Sequence, residues 1–441
     1  MTVSENKRYF LACPRCNSNF EDKGYKLICD SCIKEEIRVI LKFAPLYSPE
    51  INKNVSGLAR YYDFLPAHPS TDIGVLLKTI RSNNFAKKYG FKKLFFTCTG
   101  YSQKLNINCV TASFKELEAI SVLNRLIQFK NDKPLLLSSA GNTARAFSYH
   151  AAKYHYPVII IIPGNSRNYL WLPDENGLHE NIKKYVKAIF VEQPGTYFDA
   201  SSLASLISIR LGKQLFNEGG FFNVGRLCGL GLCAINFYDE IEEFPDHYVQ
   251  AVGSAAGPLS ALRAYEMLDK KKASTINYHI VQNYPYTPLI DAIENNKDFS
   301  SDGYLHNINT ACAPMLTSGD SALNYPGGIK EKMNLGTVFR GYRATNEEIY
   351  EMQYEFWKLE NLQIVLPAAA ALVGLLKAKE KGRINSNDIT QVNITGLGEL
   401  EIKRENGFFY IPSFFREPVK QNVCSDKNEF NSWFKEELLV F

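Results

Sequence analysis

Between residues 93 and 394, short apolar runs alternate with stretches of helical periodicity, and this alternation restricts the chain to an α/β fold. Residues 93–97 (KLFFT) suit a buried strand, and residues 114–129 place Leu117, Ile120, Leu123 and Leu126 on one helical side. Residues 133–138 read as a strand, 143–154 as a helix and 158–163 as a β-branched strand, and 188–192 and 248–252 repeat the theme. Such a succession predicts parallel or mixed sheets covered on both faces. Residues 72–89 also carry apolar positions at helical spacing, closed by Lys-Tyr-Gly, and predict a further helix.

A length of 441 residues implies two packed domains and an appendage, and 45% hydrophobic against 22% charged residues is ordinary for a protein with a real core. The 50 basic and 46 acidic residues are interspersed and leave a net charge of +4, so no basic block tracks a phosphate backbone and nucleic acid is not expected as a partner. The apolar stretches at 158–163 and 364–376 fall short of the roughly 20 residues of a membrane helix. The first residues lack the pattern of a secretory signal, so a cytoplasmic protein is expected.

Four of the 10 cysteines, Cys13, Cys16, Cys29 and Cys32, form two CxxC pairs near the N-terminus. Each pair sets two thiolates on one tight turn, and two facing turns offer the four sulfurs of a structural zinc site. Residues 25–29 (YKLIC), between the pairs, predict a strand of that ribbon. Four reduced cysteines without metal are the alternative.

Three strand-to-helix junctions and one late turn carry the candidate chemistry. In TASFKELEA, Lys115 stands where a helix begins; taken alone, a solvated helix-start lysine is much the plainer reading. In SSAGNTARA, small residues allow close backbone approach, and Asn142 and Thr143 open a helix whose amides suit an anion; simple capping by Ser139 or Asn142 is the plainer reading. In AVGSAAGPLSAL, Gly253, Ser254, Ala255, Ala256 and Gly257 form a loop able to wrap a phosphate, and Pro258 suits the first turn of the next helix. In NITGLGE, Thr395 ends a short strand. A phosphate cradle, a lysine, an asparagine beside a small-residue loop and a late hydroxyl together meet the requirements of pyridoxal phosphate.

The chain resembles the threonine-synthase branch of the fold-type II pyridoxal-phosphate enzymes, the tryptophan-synthase-β-like group. The likeness runs from the cysteine ribbon through RYYDFLP, SFK, SSAGNTA and the glycine-rich loop to TGLG, over roughly residues 10–405. It implies Lys115 as the Schiff-base lysine, Asn142 at the cofactor's 3′ oxygen, Thr395 at the ring nitrogen and residues 253–257 around the phosphate. Within that branch, SFKELEA, SAGNTARAF and DHYVQAVGS are similar to the cysteate synthases. Threonine synthases usually continue the lysine motif as Phe-Lys-Asp-Arg and carry histidine where Leu397 stands here. The implied fold has a zinc ribbon (1–45), a large domain (46–125 and 235–405), a small domain (126–234) and a tail (406–441) packing on the body. The implied reaction is β-replacement of O-phospho-L-serine by sulfite, giving L-cysteate and phosphate through a Lys115 aldimine and an aminoacrylate. Ser139 and Thr143 are then candidates for the substrate carboxylate, and Arg145 and Arg226 for its phosphate, each against a plain structural part. The fold generally pairs subunits, so a homo-oligomer is expected. Threonine synthase, cysteine synthase, a β-eliminating lyase and a zinc-ribbon binding protein on an inactive scaffold are the alternatives.

Overall fold

The computed structural model describes residues 8–69, 74–192, 195–415 and 435–441. A six-stranded sheet has the spatial order Val338–Ala344, Asn277–Asn283, His247–Ala251, Thr390–Ile394, Leu94–Cys98 and Lys78–Arg81. Its first five strands are parallel, and Lys78–Arg81 closes the edge antiparallel. A second, four-stranded parallel sheet has the order Val186–Val191, Val158–Pro163, Leu135–Ser138 and Phe216–Asn217. Among the described residues no helix is long and apolar enough to cross a membrane.

Both sheets are covered on both faces, and strand alternation sorts the side chains between them. In the large sheet, Tyr248, Tyr278 and Ile280 join the core formed with the helices Val224–Ile241 and Ala256–Ala273. Their neighbours Val249, Val281 and Val392 join the core on the other side, filled by the alanine run of the helix Leu366–Glu380. In the small sheet, Val158, Ile160 and Ile162 face one core, while Ile159 and Ile161 face another. That second face also receives Leu438 from the chain end.

Two local expectations give way. Residues 74–89 are not one helix: Lys78–Arg81 is a strand and Asn84–Tyr89 a short helix, stopped by Gly90 at φ +69°. Thr79 bonds Thr97 across the strand pair (3.0 Å), so tertiary pairing overrides a pattern that fits either element. The part of this expectation at residues 72 and 73 lies outside the described residues. Residues 25–29 form no strand; the ribbon is built from Asn19–Phe20, Tyr9–Ala12 and Lys42–Pro45. The intervening segment turns to the body instead, with Tyr25 stacked on Phe216 and the Lys26 carbonyl accepting from Arg125.

A buried ion pair fastens the ribbon to the body. Arg125 gives Nε and Nη2 to the two oxygens of Asp22 at 2.7 and 2.8 Å, and both side chains are almost fully enclosed. The Tyr9 hydroxyl and the Gly24 amide also donate to Asp22, and Asn223 accepts from Arg125, so every charge is matched. Removing one partner of such a pair leaves a buried charge uncompensated. Asp22→Asn is therefore expected to cost about 3–5 kcal/mol of stability. Its denaturant midpoint should fall, and Asp22→Leu with Arg125→Met should recover most of the loss.

On adjacent strands of the large sheet, His247 Nδ1 and His279 Nε2 are hydrogen-bonded at 3.0 Å, with Asp388 beyond one ring (3.1 Å) and the Tyr342 hydroxyl beyond the other (3.0 Å). Burial, with His247 and Arg340 nearby, pushes His279 down to about 3. A histidine depressed on folding contributes stability above its unfolded value of about 6.5 and loses it as pH falls toward the folded value. Over that window protonation of His279 should progressively lower stability as the pH falls. His279→Asn should flatten the difference in denaturant unfolding between pH 7 and pH 4.

Candidate active site

All four candidate segments lie beyond the carboxyl ends of parallel strands, where open α/β sheets place their ligands. Asn142 follows Leu135–Ser138, the loop 253–257 follows His247–Ala251, and Thr395 follows Thr390–Ile394. Lys115 opens the helix Lys115–Gln128 after the excursion that follows Leu94–Cys98. The Phe114 amide donates to the Thr395 carbonyl at 3.0 Å, which sets Lys115 beside Thr395. The turn before it is locked by Glu116, whose carboxylate accepts from the amide and hydroxyl of Thr111 at 2.8 and 2.7 Å.

The Lys115 amine donates to Glu118 at 3.0 Å, with its side chain 21% exposed. Burial pulls the amine below the usual lysine value, and the Glu118 charge opposes that pull. Glu118 itself is completely enclosed. It accepts from the Thr143 hydroxyl at 2.9 Å and faces Arg226 at 3.4 Å. Burial alone would raise its carboxyl, but Arg226 and Lys115 hold it below the usual range. Arg226 in turn grips both oxygens of Glu218, with Nε at 2.8 Å from one of them. Residues 118 and 218 were not among the sequence candidates, although the three-residue spacing from Lys115 to Glu118 on a helix was a usable signal.

Ser139 ties down the next junction, its hydroxyl accepting from the amides of Gly141 (3.2 Å) and Ala144 (3.0 Å). Arg145 is enclosed and lies 4.5 Å above the Trp171 ring. It donates to the carbonyls of Thr111 (2.9 Å) and Tyr169 (3.1 Å) and to the Asn142 side-chain oxygen (3.0 Å). The Asn142 oxygen is thus fixed by Arg145, while its Nδ2 and the Thr395 hydroxyl make no hydrogen bond to the described residues.

The loop 253–257 leads into the helix Ala256–Ala273. Ala255 sits at φ +62°, and the amides of residues 253–257 have no acceptor among the described residues. At Gly257 a Cβ would stand 2.1 Å from the Gln250 side-chain nitrogen, so a larger residue would have to push that buried amide aside. The Ser254 carbonyl accepts from the Ala322 amide (2.9 Å) and the Ser321 hydroxyl (3.2 Å). Those bonds bring the segment 314–328 to the loop, with Asp320 bonded to Tyr325 at 3.0 Å and raised by burial.

The residues present fit pyridoxal phosphate: a largely buried amine, a nest of unengaged amides at a helix start and a late hydroxyl at the carboxyl ends of large-sheet strands, and an asparagine beyond a strand end of the small sheet. The ribbon fits a metal ion. Cys13 and Cys32 sulfurs are 3.7 Å apart, those of Cys16 and Cys29 3.5 Å, and all four lie within 4.8 Å of one another. Sulfurs at the corners of a tetrahedron about 2.3 Å from a central ion would be about 3.8 Å apart.

The family model described as pyridoxal-phosphate dependent enzyme matches residues 77–396, and the chain belongs to that family. Among its relatives it is similar to "Cysteate synthase" of Methanocella arvoryzae, 31% identical over 93% of this chain and 95% of that protein. "Cysteate synthase" of Methanosarcina mazei is 29% identical over 92% and 95%. Solved structures share the fold: threonine deaminase isoform 2 from Solanum lycopersicum has a TM-score of 0.58 at 14% identity, covering 81% of this chain and 95% of that one. Serine racemase from Dictyostelium discoideum has a TM-score of 0.52 at 16% identity, covering 73% and 92%.

Gly257→Ala tests the cradle. The added methyl should displace Gln250 or the loop and weaken pyridoxal-phosphate retention at least tenfold, read as visible absorbance remaining after dialysis.

Proposed function

We propose that the chain carries out β-replacement on O-phospho-L-serine with sulfite, releasing L-cysteate and phosphate. The observation that carries this reading is the likeness to cysteate synthases over 93% of this chain and 95% of the relative, with a lysine, an asparagine, a phosphate-type loop and a late threonine all beyond the carboxyl ends of parallel strands. Lys115 is assigned to hold the cofactor, the amides of residues 253–257 its phosphate, Asn142 its 3′ oxygen and Thr395 its ring nitrogen.

When bound, pyridoxal phosphate supplies an electron sink that lowers the cost of removing the substrate's Cα proton. The Lys115 amine is placed to take that proton and return it. Between those transfers the Cβ–O bond breaks with its electron pair going to phosphate, and the sulfite sulfur donates its pair to form the Cβ–S bond. A hydroxyl at residue 395, unlike a carboxylate, does not force a proton onto the ring nitrogen, which suits β-replacement better than transamination.

We assign the substrate carboxylate to the helix start at Asn142 and Thr143, whose amides have no acceptor among the described residues. The Ser139 hydroxyl shapes that turn, and the Thr143 hydroxyl is engaged by Glu118. Arg145 and Arg226, as placed here, position Asn142 and Glu118. The segment 314–328, tied to Ser254, is our candidate for substrate selection. We assign the four-cysteine cluster to structural zinc; one zinc per chain should be found by elemental analysis, and chelation should lower the melting temperature.

The test is phosphate release and product mass from O-phosphoserine with and without sulfite. Sulfite-dependent release with the mass of cysteate is expected, and Lys115→Ala should lower the rate by at least about 10³-fold. Threonine formed from O-phosphohomoserine, with no sulfite-dependent turnover, would move the assignment to threonine synthase.

A further inference from the structure

Around Lys115 the ionised groups balance in a particular way. Arg226 is gripped by both oxygens of Glu218, which matches its charge. Glu118 is then a second carboxylate with no exposed surface, and its nearest cations are Lys115 at 3.0 Å and Arg226 at 3.4 Å. Counted as two carboxylates and one guanidinium, the cluster is neutral only while the Lys115 amine carries its proton. A buried carboxylate left unmatched is costly, and the cost is relieved by a nearby proton. The Thr143 hydroxyl, 2.9 Å from the other Glu118 oxygen, fixes the carboxylate from the helix that also carries Asn142.

We propose that Glu118 is the counter-ion of the released Lys115 amine: it holds that amine in place and stabilises it after it has taken the substrate's Cα proton. The proposal rests on the reading of Lys115 as the cofactor lysine. Glu118 acts through Lys115 and is a positioning residue. Its charge is matched while the amine is free and protonated and unmatched once that proton has left. Return of the amine to the cofactor therefore requires giving up the proton, which couples proton return at Cα to restoration of the resting state. The other ionisable groups facing the cluster are Tyr197 on the helix Tyr197–Leu211 and, through Tyr197, Asp320.

The test uses the full chain stripped of cofactor. Lysine acetylation is followed against pH, and the Lys115 peptide is quantified by mass spectrometry. Glu118→Gln keeps the size and removes the charge, so the labelling midpoint should fall by about one to three pH units. Arg226→Gln removes a repelling cation and should move the midpoint up. Should Glu118→Gln fail to fold by circular dichroism, the upward shift in Arg226→Gln carries the test. A midpoint unchanged in a folded Glu118→Gln, or one that does not rise in Arg226→Gln, overturns the proposal. A separate arm reduces the pyridoxal-phosphate-loaded wild type with borohydride and locates the labelled peptide. A label away from Lys115 would overturn the cofactor-lysine reading, whereas the labelling midpoints report on the counter-ion whichever lysine is labelled.

Discussion

The organisation of the site depends on one constraint: charges buried where three helices meet must be matched without water. Glu118, on the helix Lys115–Gln128, bonds Thr143 on the helix Asn142–Tyr154 and faces Arg226 on the helix Val224–Ile241. These three elements carry the candidate lysine, the candidate asparagine and the guanidinium that answers both carboxylates. In a low-dielectric setting a displacement of any one of them would expose an unpaired charge, so the electrostatics and the geometry of the site are the same fact seen twice. Close backbone approach does the rest. A Cβ on Gly398 would lie 1.8 Å from the Tyr101 carbonyl and one on Gly100 2.4 Å from that of Leu397, so the turn bearing Thr395 is wedged against the chain that leads to Lys115.

The N-terminal ribbon is an appendage whose apolar side packs into the large core. Leu11, Cys13, Cys29, Cys32 and residues 39–41 belong to the same buried cluster as the helices Val224–Ile241 and Ala256–Ala273. Arg263, from the second of these, donates to the carbonyls of Leu41 (2.7 Å), Ile40 (3.1 Å) and Gly327 (2.7 Å). One residue thereby links the ribbon's outgoing strand to the segment next to Ser254. The ribbon thus braces the helix whose start forms the candidate phosphate cradle, which gives a clip of four cysteines a mechanical connection to the site.

Much of the fold was legible because local pattern and burial agree in it. Val158–Pro163 is β-branched and wholly buried, and the helix Lys115–Gln128 follows its apolar stripe. The reading failed where two patterns overlap: residues 78–81 serve a helix or an edge strand equally well, and only pairing with Leu94–Cys98 decides between them. At residues 25–29 an apolar run expected to complete the ribbon makes its contacts with Phe216 and Arg125 instead.

The sequence by itself determined the alternation of strands and helices, the two CxxC pairs, the small-residue turns and the residue types the chemistry needs. These are local properties, written in spacing, side-chain shape and turn preference. Only the tertiary structure decided which charges answer one another. Arg145 and Arg226 are both candidate cations for a substrate; in the fold the first donates to Asn142, Thr111 and Tyr169 and the second donates to Glu218 and faces Glu118. Glu218 is 100 residues from Glu118 in the chain, and their meeting at one guanidinium depends on how two helices and a strand end pack. No local pattern encodes that distance, because the pairing energy exists only after water has been excluded from between them.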